Sequence, residues 1–116
     1  LYEFSEDTIK QLTQKISTQG YYPFNCNECS FKVIAVGYCC LWGEEIAIVK
    51  ANKIHIPTNT KEILYFYLVN DAGKWLIGEV HDSAPPWFIR IYDEPQHPNK
   101  KEHSRILERI KKDTLK

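Results

Sequence analysis

The stretch KEILYFYLVNDAGKWLIGEV, residues 61–80, decides the fold of this chain. Two apolar runs flank Asn70, Asp71, Ala72 and Gly73, residue types that suit a tight turn with positive φ angles. The stretch therefore predicts a β-hairpin. Both alternating sets of side chains in its arms are largely apolar, so both faces of the hairpin must be covered by helices, by a curled sheet or by a second subunit.

A second hairpin is predicted immediately before the first. The run 31–42 is rich in β-branched and aromatic residues and stops at Gly43-Glu44. The run 45–56 follows and alternates more cleanly. Because Pro57 to Thr60 forms a short turn into the first hairpin, the four strands follow one another as an antiparallel meander.

A helix is predicted ahead of these strands. Ser5 is a good capping residue, Glu6 and Asp7 suit a first helical turn, and apolar residues recur at helical spacing to about residue 18. This helix has one narrow apolar stripe, which is typical of a helix that packs on a sheet.

After the meander the chain continues through a loop, a strand and a helix. Pro85 and Pro86 cannot donate to a strand ladder, so they predict a loop, followed by a short fifth strand over 87–92. A C-terminal helix begins at Pro98 or Asn99. The apolar side of this helix comprises Ile106, Leu107, Ile110 and Leu115. The predicted fold is α+β, one domain over 1–116, with an amphipathic helix on a twisted antiparallel sheet of four to five strands.

Charge and composition exclude several classes of protein. Fifteen basic and fifteen acidic residues cancel among the 116, so we do not expect nucleic acid as a partner, although residues 98–116 hold seven Lys/Arg against three Asp/Glu. No apolar run is long enough to cross a membrane. We expect a soluble protein, with the cytoplasm slightly favoured. The sequence contains no methionine, as expected of a trimmed or processed chain.

Four cysteines leave several chemistries open. Cys26 and Cys29 have the two-residue gap of a zinc knuckle or a redox dithiol, whereas Cys39 and Cys40 are adjacent in a predicted strand and point to opposite faces. Unpaired thiols, disulfides of a secreted protein and a metal site all fit. If a metal binds, we expect zinc held by Cys26 and Cys29, with further ligands from Cys39 or Cys40, a histidine or a second subunit.

Ionisable residues gather at the end of the fourth predicted strand. Glu79 and His81 are two residues apart and should share a face with Trp75 and Ile77, and Arg90 lies on the predicted fifth strand. Such a group resembles a site, but it also resembles a strand end that emerges into water. We lean against an enzyme; a reaction that pairs Cys39 or Cys40 with a histidine such as His81 or His55 is the enzymatic alternative.

Aromatic density leads to the main functional hypothesis. Fifteen of the 116 residues are Trp, Tyr or Phe, many on strands whose other face is also apolar. We predict a small non-enzymatic binding or protein-interaction domain that uses an aromatic-lined sheet face, with an immunity or inhibitor protein as one concrete form. A protein partner or a homodimer is favoured over a small-molecule pocket. The candidate binding residues are Tyr65, Tyr67, Trp75, Glu79, His81 and Arg90.

The hairpin also resembles a known architecture. Residues 65–69 and 73–77, read as strand, short polar turn and Lys-Trp-aliphatic strand, resemble the closing hairpin of the NTF2-like and cystatin-like superfolds. The resemblance implies a cone-shaped, curled sheet as an alternative form of the fold. It implies no site residue in this chain.

Overall fold

A computed structural model describes residues 5–18, 28–41, 44–88 and 100–114. The elements in chain order are α1 (Glu6–Thr18), β1 (Cys29–Leu41), β2 (Glu44–His55), β3 (Thr60–Asp71), β4 (Lys74–His81), α2 (Pro86–Phe88) and α3 (Lys100–Thr114). The strands form one antiparallel sheet in the order β1-β2-β3-β4. The predicted α+β fold, with a helix before a meander and a helix after it, is confirmed.

The turn between β3 and β4 has the predicted geometry. Asp71 pairs with Lys74 across the strands, which leaves two residues in the loop. These are Ala72, with a φ of 52°, and Gly73, with a φ of 87°. Positive φ at both loop positions gives a turn whose twist matches that of the strands, and glycine adopts it without steric cost.

Helix α1 covers one face of the sheet. The side-chain oxygen of Ser5 accepts a hydrogen bond from the backbone N–H of Thr8 at 3.2 Å, so the predicted cap is formed. Leu12 and Ile16 are fully buried on the apolar side of the helix. The strand residues buried with them on this face are Ala47, Val49, Ala51, Leu64, Phe66, Leu68 and Trp75.

Helices α2 and α3 cover part of the opposite face. Trp87 and Phe88 of α2 and Ile106 and Ile110 of α3 are buried there. The strand residues in this second core are Ile46, Ile48, Tyr67 and Val69. The sheet is therefore packed by helices on both sides, as two apolar faces require.

The predicted fifth strand is wrong at its first two residues. Trp87 and Phe88 belong to the short helical turn α2, and the backbone N–H of Phe88 donates to the carbonyl of Pro85 at 3.0 Å. Pro86 occupies the first helical position, where its missing N–H costs nothing and its fixed φ suits a helix. Residues 89–92 of that prediction lie outside the described residues.

Two irregularities change which face some residues occupy. The register shifts between Val33 and Ala35 in β1, and in β4 Gly78 is an extra residue between two regular pairs. A bulge places two successive residues on one side of the sheet. Ile77 packs on the α1 side, whereas Gly78 and Glu79 both face α3. The prediction that Glu79 and His81 share a face with Trp75 and Ile77 is therefore wrong.

No helix in the described parts of the chain is both long and apolar enough to cross a membrane.

Candidate functional site

The carboxylate of Glu79 accepts hydrogen bonds from three side chains. It is buried at 8% exposure, on the α3 side of β4. The ring nitrogen Nε2 of His81 bonds one carboxylate oxygen, and the indole N–H of Trp87 donates to the same oxygen at 3.2 Å. Arg105 of α3 donates to the second oxygen at 3.0 Å. Glu79 therefore ties β4, α2 and α3 together.

These partners set the acidity of the group. Burial raises the pKa of Glu79, but the hydrogen bonds from His81 and Trp87 and the positive charges of Arg105 and His81 together outweigh it. The net result is a pKa below the ordinary value of 4.5. Glu79 is therefore ionised at neutral pH and acts as a fixed acceptor for its three donors.

A second polar contact lies next to this cluster. The hydroxyl of Tyr67 and Nδ1 of His103 are 2.8 Å apart, and both residues are buried. The ring of Tyr67 also packs edge-on against Trp87, with centroids 5.2 Å apart. Because a buried polar group needs a partner, this contact positions α3 on the sheet in the same way as the Glu79 cluster does.

Two clefts lie on the described part of the chain. One borders no described aromatic strand residue, and the other borders Trp75. One cleft of about 410 Å³ runs along the outside of α3, past Lys101, Ser104, Arg105 and Glu108. Another of about 340 Å³ lies where α1 meets the β3–β4 turn and includes Trp75 at its edge. Both are open to solvent, unlike the enclosed cavity that usually holds a small ligand.

The predicted binding residues separate into two groups. Tyr65, Tyr67, Glu79 and His81 lie on the α3 side of the sheet, and Trp75 lies on the α1 side. Tyr67 is fully buried and Trp75 is 6% exposed, so these rings pack inside the chain. Arg90 lies outside the described residues.

The cysteines are described only in part. Cys29 is half of a disulfide. Cys39 and Cys40 follow it by ten and eleven residues in the same strand, which is roughly 33 Å or more, whereas a disulfide joins Cα atoms within about 7 Å. Neither of them can therefore be its partner within the chain, and Cys26 lies outside the described residues. The zinc hypothesis needs thiolates at Cys26 and Cys29, so it applies to a reduced chain and stays a prediction.

The register does not bring Cys39 or Cys40 to a predicted histidine partner. His81 is level with Ala35 of β1, four residues from Cys39, and three strand spacings separate β4 from β1. These offsets are about 13 Å along the sheet and 14 Å across it. His55 pairs at the opposite end of β1. A thiol and a general base must be within hydrogen-bond reach, and these positions are not.

The sheet has one end where the α3 side carries exposed apolar residues. On β2, the alternation that places Ile48 on the α3 side continues to Lys50, Asn52 and Ile54. Their pairing partners on β3 are Tyr65, Ile63 and Lys61, respectively. Lys32 of β1 completes the row at Asn52. Ile34 lies at the register shift of β1, between Val33 on the α1 side and Ala35, which pairs with Lys50 on the α3 side, so it shares a face with one of these neighbours. Val33 packs in the core beneath α1, whereas Ile34 is 48% exposed, and we therefore assign Ile34 to the face of Ala35, the α3 side. The residues that we call the open patch are Lys32, Ile34, Lys50, Ile54, Lys61 and Ile63.

Exposure and charge distinguish the open patch from the rest of the sheet. Ile34 is 48% exposed and Ile63 is 40% exposed, although both are strand residues. None of the three lysines of the patch forms a salt bridge with a described residue. On the opposite side of the same strands, Lys53 does have a partner, Glu62, at 3.7 Å. The open patch therefore combines uncovered aliphatic surface with unpaired positive charge.

Comparisons with known protein families, with curated proteins and with solved structures find no match for this chain.

Some residues of the Glu79 cluster and of the open patch were not predicted from the sequence. His103 and Arg105 belong to the C-terminal helix, and the spacing of His103, Ile106 and Ile110 is a signal that the histidine lies on the buried side. Ile54 belongs to the alternating run 45–56, but a pattern of alternation cannot indicate where the covering helices stop. The extent of cover depends on how α2 and α3 cross the sheet.

Proposed function

We propose that this chain is a non-enzymatic protein-interaction module and that the open patch is its contact surface for a protein partner. The observation that carries the proposal is the exposure of Ile34 and Ile63 among lysines that form no salt bridge with a described acidic residue. Strand residues of this type are normally buried, and an exposed aliphatic group ringed by polar residues marks an interaction surface.

The contact surface in this proposal differs from the aromatic face expected from the sequence. Tyr67 and Trp75 are packed against helices of the same chain, so they support the fold beneath the surface. Tyr65 is half-buried and contacts Phe88 of α2 at the border of the open patch. An immunity or inhibitor protein, which acts by covering a partner's surface, remains one form of such a module.

A photo-crosslinking experiment tests the proposed surface. A photoreactive amino acid is placed at Ile34 or at Ile63 and irradiated in the cells that produce the protein. The matched control places it at Ile56, which is 64% exposed but lies in the β2–β3 turn. We expect one discrete heavier product from positions 34 and 63 that is absent from position 56, and Ile63→Glu in the chain labelled at position 34 should abolish it.

Other outcomes count against the proposal. Identical products from all three positions would mean that crosslinking reports exposure and not a specific surface. A product of twice the chain mass of 13.6 kDa would mean that the patch meets a second copy of the chain and not another protein.

A further inference from the structure

We infer that the partner element on the open patch is an amphipathic helix with acidic flanks. This inference rests on the proposed function, and it adds the shape and charge of the partner. Three properties of the patch lead to it: its dimensions, its charge and its place beside the chain's own helices.

The dimensions of the patch fit one helix. It covers three adjacent strands, β1 to β3, and five positions along β2 from Lys50 to Ile54. At standard spacings this is about 10 Å between the outer strands and about 17 Å along them. A helix with its side chains is about 10 Å across and rises about 16 Å in three turns. The patch thus accommodates three turns of a single helix.

The place of the patch in the fold also favours a helix. The α1 side of the sheet is covered by a helix, and on the α3 side α2 and α3 pack on Ile46, Ile48, Tyr67 and Val69. Isoleucines on a twisted strand surface present ridges that pack well against the side chains of a helix. A helix on the open patch would continue the layer that α2 and α3 begin.

The charge of the patch specifies the flanks of that helix. Lys32, Lys50 and Lys61 project on the side that carries Ile34 and Ile63, and none of them has a described acidic partner. A partner that leaves three ammonium groups unpaired beside a buried apolar contact would lose affinity. Glu or Asp residues beside an apolar stripe at i, i+3, i+4 and i+7 would pair with them.

A second copy of this chain is a poor occupant. The outer side of α3 presents Lys101, Arg105, Arg109 and Lys112, and the helix holds six Lys/Arg against three Asp/Glu. Like charges would meet if this surface docked on the lysines of the patch. Leu12 and Ile16 of α1 and Ile106 and Ile110 of α3 are already buried against the sheet. The charge layout therefore favours a different, acidic partner.

Synthetic peptides test the inference directly. The probe is an amphipathic peptide of about fifteen residues with leucines at i, i+3, i+4 and i+7 and glutamates beside them. A second peptide replaces each glutamate with lysine, and a third keeps the glutamates but has a central proline that breaks the helix. Each is titrated into the isotopically labelled protein while backbone amide signals are followed by NMR.

We expect the acidic peptide to move amide signals of β1 to β3 around the open patch and to bind at least about tenfold more tightly than the other two. The variant Lys32→Glu with Lys61→Glu should reverse the preference, so that the lysine peptide binds better. Its matched control, Lys101→Glu with Lys112→Glu, changes net charge equally on α3 and should leave the preference as it was. Both lysine pairs are exposed, so neither variant should alter the melting temperature.

Two results would overturn the inference. Equal binding of the proline peptide would mean that the partner is not helical, and an equal effect of the α3 control would mean that binding follows net charge alone. If the peptides fail while crosslinking at positions 34 and 63 captures a specific protein, the surface stands and the acidic helix falls. If crosslinking fails as well, the proposed function itself is wrong.

Discussion

A single carboxylate, that of Glu79, holds three elements of this chain in place. It accepts hydrogen bonds from His81, Trp87 and Arg105, and it is more buried than either charged partner. Removing the Glu79 carboxylate leaves its three donors without a charged acceptor in a partly buried place. This loss lowers the free energy of unfolding more than the loss of an exposed ion pair does. The residue therefore contributes to stability whether or not a ligand ever reaches it.

We expect Glu79→Gln to lower the free energy of unfolding at neutral pH by about 1–3 kcal/mol. Because folding lowers the pKa of Glu79, the native state binds fewer protons at this site than the unfolded state. Its contribution is fully present above the unfolded pKa of 4.5 and is lost as the pH falls through the folded value. The difference between wild type and variant should therefore shrink below about pH 4.

Urea denaturation across this pH range measures the effect. Glu62→Gln is the matched control, because Glu62 is an exposed carboxylate paired with Lys53 on the same sheet. Its substitution should cost no more than about 0.5 kcal/mol at any pH. A stability difference for Glu79→Gln that is as large at pH 3 as at pH 7 would mean that the ionised form of the carboxylate is not what stabilises the fold.

At the scale of elements, strand alternation predicted the hairpins but not the face of every residue. The arms of β3 and β4 and their turn followed from apolar runs around Ala72 and Gly73. The bulge at Gly78 reversed the alternation, so Trp75 and Glu79 lie on opposite faces. A glycine inside a strand is a signal for a bulge, but whether one forms depends on what packs against it, here α3.

The Pro85-Pro86 pair shows the same limit. The two prolines lie outside the strands of the sheet, as expected. Pro86, however, begins a helical turn in which Trp87 and Phe88 are buried. Apolar residues next to proline fit either an edge strand or a first helical turn, and tertiary packing decides between them. The open patch was beyond prediction for a related reason, since it is defined by where helices end over the sheet and not by any local pattern.

Substitution of Gly78 tests the contact between β4 and α3. A Cβ atom at this position would lie 2.4 Å from Cγ2 of Ile106 and 3.0 Å from Cδ1 of Ile110. Both side chains are buried, so the helix must shift to accommodate it. We expect Gly78→Ala to destabilise the protein by about 1–3 kcal/mol in urea denaturation and to increase hydrogen exchange in α3 more than in α1.

A double mutant separates this clash from a general intolerance of the bulge. Ile106→Ala removes the Cγ2 atom and should by itself cost about 2–5 kcal/mol. In the pair Gly78→Ala with Ile106→Ala, the new methyl group occupies the space that was vacated, so the combined cost should be smaller than the sum. Additive costs would show that the backbone at Gly78, and not its packing against α3, is what excludes alanine.

At the scale of the whole molecule, positive charge is concentrated on the α3 side. Lysines of the open patch and the basic outer side of α3 both belong to it. The net charge of the chain is nevertheless zero, so the asymmetry is local. If the proposed acidic partner binds there, a local field of this kind should speed its association, and this effect should decrease as salt is added.

The redox state of the cysteines is the remaining property of the whole chain that can be predicted. With Cys29 in a disulfide, we expect at most two of the four cysteines to react with a thiol reagent in denaturant without reductant, and all four after reduction. Cys26→Ser tests whether the cysteine nearest in sequence is the partner of Cys29, and we expect it to add one reactive thiol, because Cys39 and Cys40 lie too far along β1. Cys40→Ser, the matched control, should not add one.

Elemental analysis of the same samples decides between disulfide and metal. A sulfur atom in a disulfide is not a thiolate, so the oxidised chain should carry no zinc at this pair. Structural disulfides persist mainly in oxidising compartments, so a disulfide confirmed in this way would count against the expectation of a cytoplasmic protein. Four reactive thiols before reduction, together with about half an equivalent of zinc per chain, would instead indicate a zinc site shared by two copies through Cys26 and Cys29.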